Sequence, residues 1–363
     1  MGTPIKDRFL VSAGLAFYLT HTMQIGIGVL GYERYISRDA GYDSWISIII
    51  TGITIHILLW MMYSMLNKEK GDLLSIHKRV FGEKLGNLFS FFFILYFLAL
   101  GITVLRSYVE VVQVWMFPNL NLAIFLIVFL LLTYYTVSAG FRVVAGVAYF
   151  GVLIPLFLIF FLYFPFRYGD WDFLQPVMNH SIKEILLSSK VAVLEYVGFE
   201  VLLIIYPFIK NGEKSQKWAH LGIFFSTFIY VAVALAAFVY FSEEQLQRTI
   251  WSTLSMFKIV EFPFVERFEY IAIATWALII FPNICIAFWC ASRTVKRIFP
   301  LSQRWSLIWM LLLCFIINMT FQDRKYIDLF INSVSQMGLY TLYVYIPILF
   351  ILYHLRYRRS QLR

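Results

Sequence analysis

Runs of about twenty apolar residues, separated by short polar segments, recur along this chain. A helix of that length crosses the hydrocarbon core of a bilayer and satisfies its own backbone polar groups. The composition, 61% hydrophobic and 14% charged, leaves no room for a second, soluble domain. We therefore predict an all-α polytopic membrane protein that forms one transmembrane domain over residues 1–363. The ten predicted spans are 9–31, 44–66, 87–115, 121–139, 143–164, 186–209, 218–241, 267–291, 305–320 and 332–354.

The positions of lysine and arginine orient these spans. Nineteen of the 30 basic residues fall in segments on one side of the membrane, ten fall on the other side, and Arg106 lies inside a span. Because basic residues are enriched on the cytoplasmic side, we expect both termini in the cytoplasm. The net charge of +9 then reflects topology and contact with anionic lipid rather than binding of nucleic acid.

Glycine interrupts two of the predicted spans. Gly26 and Gly28 interrupt span 1, and Gly198 interrupts span 6. With five spans in each half, spans 1 and 6 enter the membrane from opposite faces. Interrupted helices at corresponding positions are typical of inverted-repeat transporters, which bind substrate at the breaks. The alternative is that these glycines only allow helices to pack closely. We predict a five-plus-five inverted repeat, with spans 1 and 6 broken. The first repeat would cover about 9–164 and the second about 186–354.

The two breaks provide most of the candidate ligand-binding residues. Free N–H groups at the break of span 1 can hold a carboxylate, and Thr22 and Gln24 can add hydrogen bonds. Span 6 provides carbonyl groups together with Glu195 or Glu200, which could receive a ligand ammonium, titrate, or pair with a basic group. The alternative is a kinked structural helix whose glutamates are paired inside the bundle. Three residues of spans 3 and 8 could face the same site: Gly101, Thr103 and Asn283.

Other polar residues in the spans have simpler interpretations. Arg106 and Glu110 lie one helical turn apart in the outer part of span 3, where they can neutralise each other or extend to the interface. His56, alone on an apolar helix, is interpreted as a packing residue. No sodium site, coupling lysine, nucleophile–base pair, phosphate loop or zinc motif is evident in the sequence. We therefore predict no enzyme activity, no cofactor and no bound metal.

Two segments between spans have a pattern of their own. The external segment 242–266 combines an acidic start with an apolar stretch, which predicts short helices lying across an outer vestibule. The internal segment 67–86 is basic and amphipathic, which predicts a helix on the membrane surface.

Five segments, in order along nearly the whole chain, match a known pattern. They are Ala40-Gly-Tyr-Asp43-Ser-Trp45-Ile-Ser, Phe173-Leu-Gln-Pro176-Val, Val197-Gly-Phe-Glu200-Val-Leu-Leu-Ile-Ile-Tyr-Pro207, Trp251-Ser-Thr-Leu-Ser-Met-Phe-Lys258 and Phe264-Val-Glu266-Arg267-Phe-Glu269. The third and fourth segments are the most specific. With these segments the chain resembles the endospore germination permeases, which are the B subunits of nutrient germinant receptors.

This resemblance implies a fold and a function. The fold would be that of the amino acid–polyamine–organocation transporter superfamily, which has the five-plus-five inverted repeat. The protein would lie in the inner membrane of a spore, act with an A subunit and a lipoprotein C subunit, bind a small nutrient, typically an amino acid, and trigger germination. The ligand would lie between spans 1, 3, 6 and 8. On this sequence that position corresponds to Gly26, Gly28, Gly101, Gly198, Phe199, Asn283 and Ala287.

Two other functions remain open on the sequence. An amino-acid permease would move its substrate by alternating access. A partner-dependent ion or water conduit would line a polar path with Glu195, Glu200, Arg106 and Glu110. The lack of evident coupling-ion residues favours a sensor or a facilitator over a coupled transporter.

Overall fold

The computed structural model describes residues 5–260, 266–321 and 323–361, so that Phe264 and Val265 of the fifth segment lie outside the described residues. Within these ranges the chain is helical, and its only β-type pairing is an isolated parallel bridge between Val11 and Ile209. The α-helices are α1 (Leu15–Gln24), α2 (Glu33–Ala40), α3 (Ser44–Glu69), α4 (Leu73–Phe81), α5 (Glu83–Trp115), α6 (Leu122–Ser138), α7 (Phe141–Leu153), α8 (Tyr163–Tyr168), α9 (Ile182–Ala192), α10 (Leu202–Ile205), α11 (Gly212–Tyr240), α12 (Glu243–Arg248), α13 (Ser252–Phe257), α14 (Phe268–Ile298), α15 (Gln303–Thr320), α16 (Arg324–Tyr340) and α17 (Ile346–Gln361).

Short π-helical and 3₁₀ segments connect several of these helices. A π-helical turn joins α16 to α17 at Thr341–Tyr345. The 3₁₀ segments are Asp7–Phe9, Gly28–Leu30, Gly41–Asp43, Pro155–Leu162, Trp171–Leu174, Val193–Tyr196, Phe199–Val201 and Tyr206–Phe208. Three of them, those beginning at Gly28, Val193 and Phe199, flank the breaks predicted in spans 1 and 6.

Seven helical stretches in the described part of the chain are long and apolar enough to cross a membrane. Ile182–Tyr196 and Phe199–Phe208, bent by 50° at the glycine between them, together form an eighth. Two of the predicted spans are shorter than the sequence suggested. In the window 9–31, the helix α1 has only ten residues before it is interrupted. Helix α6 has 17 residues. The all-helical membrane architecture is thus confirmed, whereas ten complete spans stay a prediction.

Close helix packing occurs at glycines that the sequence analysis did not single out. A Cβ atom on Gly222 of α11 would lie 2.7 Å from the Phe17 carbonyl oxygen of α1. A Cβ atom on Gly151 of α7 would lie 2.6 Å from the Leu278 carbonyl oxygen of α14. Small residues that let backbones approach in this way are typical of membrane helix interfaces. These contacts hold the broken first span against α7, α11 and α14.

The segments between spans agree with the sequence analysis in part. The segment that begins at Ser242 does form two short helices, α12 and α13, and a capping box of Ser242 and Gln245 begins the first of them. The internal amphipathic stretch forms α4, but its apolar residues are buried against α5 and α17. The prediction that this apolar face rests on the membrane surface is therefore wrong, because other helices of the bundle cover it.

One interpretation of polar residues in the spans also needs correction. Arg106 is only 7% exposed and Glu110 only 9%, and the Arg106 Nε donates to the Phe321 carbonyl oxygen at 3.2 Å. Neither side chain extends to the interface, because the chain after α15 covers the outer half of α5. His56, interpreted as a packing residue, has a partner on the neighbouring helix, since its Nδ1 lies 2.8 Å from Nδ1 of His220 on α11.

Candidate functional site

The break in span 1 exposes a short stretch of backbone inside the bundle. After α1 ends, Ile25 is extended, with φ −94° and ψ 105°. Residues 26–28 are only half-buried although the residues on either side are buried. The Ile25 amide closes the last turn of α1 on the His21 carbonyl at 2.9 Å, and the next bonded amide is that of Leu30. Among the described residues, the amides between them have no intramolecular acceptor, as predicted for a break that can receive an anion.

Side chains from other helices cap the carbonyl groups that the same break frees. The donors come from α11 and α14 and are all buried. Only Asn283 was a candidate from the sequence, and the two aromatic donors were missed. Their signal in the sequence was weak, since a tyrosine or tryptophan in an apolar span normally indicates packing. The bonds run from Tyr230 Oη to Gln24 O (2.5 Å), from Asn283 Nδ2 to Ile25 O (3.1 Å) and from Trp276 Nε1 to Gly26 O (3.1 Å).

The break in span 6 is built on Gly198, which adopts φ 118°. Its amide donates to Oε2 of Glu200 at 2.9 Å, and the hydroxyl of Tyr96 on α5 donates to Oε1 of the same carboxylate. Glu200 is fully buried. Its carboxylate therefore has donors for both oxygens inside the protein, and they are neutral groups rather than the basic partner considered from the sequence.

The carboxylate of Glu195 lies between the two breaks. A Cβ atom on Gly28 would lie 2.7 Å from Cδ of Glu195 and would overlap Oε2. Glu195 is half-buried, and within the described part of the chain its carboxylate has no hydrogen-bond or ion-pair partner. Its backbone carbonyl oxygen lies 3.0 Å from Oη of Tyr230, so this tyrosine contacts both breaks. The structure thus brings a carboxylate with no internal donor against the open amides of span 1.

Further polar atoms near the breaks are buried without a partner among the described residues. They include both the oxygen and the nitrogen of the Gln24 amide and Oδ1 of Asn283. On α5, Oγ1 of Thr103 is also buried without a partner among the described residues. Leaving such an atom unpaired costs about 1–3 kcal/mol, which a polar ligand or an ordered water would offset. Gly26 and Asn283 are in direct contact, because a Cβ atom on Gly26 would lie 3.3 Å from Asn283 Nδ2.

Several candidates from the sequence lie in packed contacts instead. Gly101 packs on α14, where its Cβ would lie 3.0 Å from the Phe288 ring and 3.4 Å from Cβ of Ala287. Phe199 is fully buried. Thr22 points the other way, with Oγ1 3.4 Å from the Ala148 carbonyl oxygen of α7. It lines a mostly apolar cavity of about 70 Å³ among α1, α7, α11 and α14.

A buried carboxylate missed in the sequence lies beyond the break of span 1, at the start of α2. Glu33 is fully buried, and its oxygens accept hydrogen bonds from Thr253 Oγ1 (2.6 Å) and Ser252 Oγ (2.7 Å) at the start of α13. The Thr253 hydroxyl also lies 2.7 Å from the Val29 carbonyl oxygen. Helix α13 is therefore hydrogen-bonded to the segment that follows the break of span 1, at Val29 and Glu33.

A contact between two loops accounts for the aspartate of the first matching segment. The Asp43 carboxylate accepts hydrogen bonds from three consecutive backbone amides, at Met178 (2.7 Å), Asn179 (2.9 Å) and His180 (3.2 Å). It also accepts one from Nδ1 of His180 at 2.9 Å. Asp43 therefore positions the loop that leads into α9 and so into the broken span 6.

Comparison with known sequences gives one consistent family. Residues 10–327 match the family described as Spore germination protein. Spore germination protein GerQB of Bacillus cereus is 40% identical over 348 residues, which cover 96% of this chain and 97% of that protein. Spore germination protein B2 of Bacillus subtilis (strain 168) is 28% identical over 308 residues, covering 82% of this chain and 83% of that one.

Comparison with solved structures gives the fold. A Na⁺-coupled sialic acid symporter in a substrate-bound, outward-open state matches with a TM-score of 0.64 and 13% identity, covering 92% of this chain and 79% of the symporter. MhsT in complex with L-phenylalanine matches with a TM-score of 0.65 and 12% identity, covering 94% of this chain and 98% of MhsT. At these identities the likeness shows a shared fold.

Proposed function

The chain belongs to the spore germination protein family, and on that premise we propose that it is the membrane-embedded B subunit of a germinant receptor. In this proposal it binds a small nutrient, probed first as an amino acid, at the two helix breaks, and the bound state triggers germination. A ligand can shift the protein between two states only if its affinity for them differs. The breaks are suited to that role because their backbone is not locked into a continuous helix.

The observation that carries the proposal is the pairing of unlike polar groups across the gap between spans 1 and 6. The open amides around Gly26 and Gly28 are donors without an internal acceptor, and they can receive a ligand carboxylate. The Glu195 carboxylate and Oδ1 of Asn283 are acceptors without an internal donor in the described structure, and they can receive an ammonium group. An amino acid carries both groups on one carbon, which matches this arrangement.

The proposal extends to architecture and partners. We propose ten spans in a five-plus-five inverted repeat with both termini in the cytoplasm, supported by the two opposed breaks and by the transporter fold. The protein would lie in the inner membrane of a spore and act with A and C subunits, as the family membership suggests. We further propose that it is not an enzyme and uses neither a cofactor nor a metal.

A permease is the second candidate, and the shared fold with solved transporters favours it. The contact of α13 with span 1 would then be an outer gate that opens during transport. Uptake of labelled amino acid into vesicles that contain this chain alone would support the permease. No observation favours a conduit, since Glu200 is fully buried with both oxygens bonded.

The proposal is tested by complementing a spore-forming strain that lacks this gene and its neighbours. Loss of germination with one nutrient from a panel of amino acids and sugars, restored by the natural chain, would identify the ligand. The decisive variant is Gln24→Leu. The amide of Gln24 has no internal partner in the described structure, so its removal costs the fold no hydrogen bond.

We expect Gln24→Leu to raise the nutrient concentration needed for germination by about tenfold, as for loss of one ligand hydrogen bond, with an unchanged amount of protein in the membrane. Asn318→Leu is the matched control, because Asn318 on α15 also has a buried, unpartnered amide oxygen but lies away from the breaks. If Gln24→Leu and Asn318→Leu respond like the natural chain, or shift equally, the ligand does not lie at the breaks.

A further inference from the structure

The carbonyl ends of a broken helix carry concentrated negative dipoles, and in many transporters with discontinuous helices they coordinate Na⁺ or bind a proton. In this chain those carbonyls face fixed hydrogen-bond donors. We propose that Tyr230, Trp276 and Asn283 occupy the place of a coupling cation, so that the two breaks keep their geometry in the absence of Na⁺. The inference rests on the proposed function only in taking the breaks as the ligand site.

The three donors bond to three consecutive carbonyl groups at the break of span 1. Consecutive carbonyl oxygens at Gln24, Ile25 and Gly26 each accept one of the three bonds, at 2.5, 3.1 and 3.1 Å. Each donor places a partially positive hydrogen where a cation would place its charge. The donor side chains are 1%, 3% and 5% exposed for Tyr230, Asn283 and Trp276. Because they are buried and neutral, they cannot be exchanged for ions from solution as a bound cation can.

Tyr230 is the central donor, because it contacts the ends of both half-helices. Its hydroxyl lies 2.5 Å from the Gln24 carbonyl oxygen of span 1 and 3.0 Å from the Glu195 carbonyl oxygen of span 6. The ring is held between Tyr196 and Tyr32, with centroid distances of 5.4 and 5.0 Å. Its backbone carbonyl also accepts a hydrogen bond from the Tyr32 hydroxyl. One hydroxyl therefore contacts a carbonyl oxygen at each of the two breaks.

Asn283 has a second consequence for the site. Its nitrogen is used on the Ile25 carbonyl oxygen, which leaves Oδ1 buried without a partner in the described part of the protein. The hydrogen bond to the Ile25 carbonyl oxygen thus fixes the orientation of the Asn283 side-chain amide. The group of Asn283 that stays available for a ligand is therefore an acceptor, Oδ1, and not a donor. The same residue holds the carbonyl end of α1 and presents an acceptor.

The experiment compares thermal unfolding of the purified full chain in lipid nanodiscs, in NaCl and in choline chloride of equal ionic strength. For the natural chain we expect the two midpoints to agree within about 1 °C. For Tyr230→Phe we expect a lower midpoint in choline and a selective rise of about 2–4 °C in Na⁺, since the Gln24 carbonyl loses its donor and can then accept the ion. Trp276→Phe and Asn283→Ala, each of which frees one carbonyl, should show the same selectivity and serve if Tyr230→Phe does not fold.

Tyr108→Phe is the matched control. Tyr108 is also buried and donates to a backbone carbonyl, that of Ile273 at 3.1 Å, but this carbonyl belongs to the unbroken helix α14 rather than to a helix break. Its midpoint should fall without any difference between Na⁺ and choline. The inference would be overturned if the unfolding midpoint of the natural chain rose selectively in Na⁺. It would also be overturned if none of the three variants differed from Tyr108→Phe in the change of midpoint between choline and Na⁺. Because no nutrient is added, this result is independent of the germination test of Gln24→Leu, and either proposal can fail while the other stands.

Discussion

The two broken helices look alike in the sequence, but the structure completes them in opposite ways. In span 1 the carbonyl side of the break is capped by side chains from α11 and α14, and the amide side is open. In span 6 the amide side is closed by the chain's own Glu200, with help from Tyr96. The break in span 1 can therefore bind a carboxyl group of a ligand. At the break in span 6 the carboxyl group of Glu200 already occupies the corresponding position.

The glycines at the two breaks also serve different purposes. Gly198 is required by its backbone conformation, with φ 118°, and by its approach to the Met23 carbonyl oxygen. Gly28 has no positive φ, and it is required because the Glu195 carboxylate takes the space of a side chain. One break depends on backbone geometry, and the other depends on room for a charged group.

The largest effect is expected from Gly198→Val. A β-branched residue at this φ costs about 1–3 kcal/mol from conformation alone, and its Cβ would lie 2.9 Å from the Met23 carbonyl oxygen. We expect the germination response to be abolished, measured alongside the amount of protein in the membrane. Gly140→Val separates the two causes, since Gly140 has φ 104° but its Cβ would meet no other atom within 4 Å. A normal response of Gly198→Val would mean that span 6 does not need its break.

Gly28→Ala should have the next largest effect. The added methyl group overlaps the Glu195 carboxylate, which must move away from span 1. We expect the nutrient concentration for half-maximal germination to rise by about tenfold or more. In the double variant Gly28→Ala/Glu195→Ala, the added methyl group no longer meets the carboxylate, so the steric loss of stability should disappear. The unfolding midpoint of the double variant should then return toward that of Glu195→Ala alone. Additive losses of stability in this cycle would show that the two residues do not share the space.

Replacing each glutamate by glutamine tests the difference between the breaks directly. In Glu200→Gln the amide oxygen can keep the bond from the Gly198 amide, but the NH₂ group must then donate to the Tyr96 hydroxyl, which has to turn its own proton away from the carboxylate position. We expect a cost of about 1 kcal/mol. Glu195→Gln removes no internal hydrogen bond of the described structure and should leave the unfolding midpoint nearly unchanged. Thermal unfolding in nanodiscs measures both. Equal unfolding midpoints for Glu200→Gln and Glu195→Gln would show that the hydrogen bonds of Glu200 at the break of span 6 do not stabilise the protein.

The smallest effect is expected from Thr253→Val at the outer end of span 1. The substitution removes the hydroxyl that contacts Glu33 and the Val29 carbonyl oxygen, at a cost of about 1 kcal/mol. We expect at most about a fivefold change in nutrient potency, together with faster proteolysis of the loop around α13. Thr249→Val is the control, because its hydroxyl bonds only within exposed α12. Identical behaviour of the two variants would mean that α13 does not close the site.

Local signals in the sequence predicted the breaks and the short helices, but they did not predict which groups meet. Gly26, Gly28 and Gly198 marked the breaks because glycine inside a long apolar run is a strong signal. The donors Tyr230 and Trp276 were missed, because they lie 206 and 250 residues away from the carbonyls that they cap. For Arg106 and Glu110 the sequence left open whether they neutralise each other or extend to the interface, because no local signal shows that a distant segment covers them.

The amino-acid sequence by itself determined that this protein is a helical membrane protein, where its first and sixth spans break, and to which family it is related. Those properties follow from hydrophobic runs, glycine positions and short segments that act locally. Only the tertiary structure decided that Glu200 closes one break while Glu195 lies against the other. The reason is physical: a freed backbone group is satisfied by whatever side chain the packing of distant helices brings within hydrogen-bond distance.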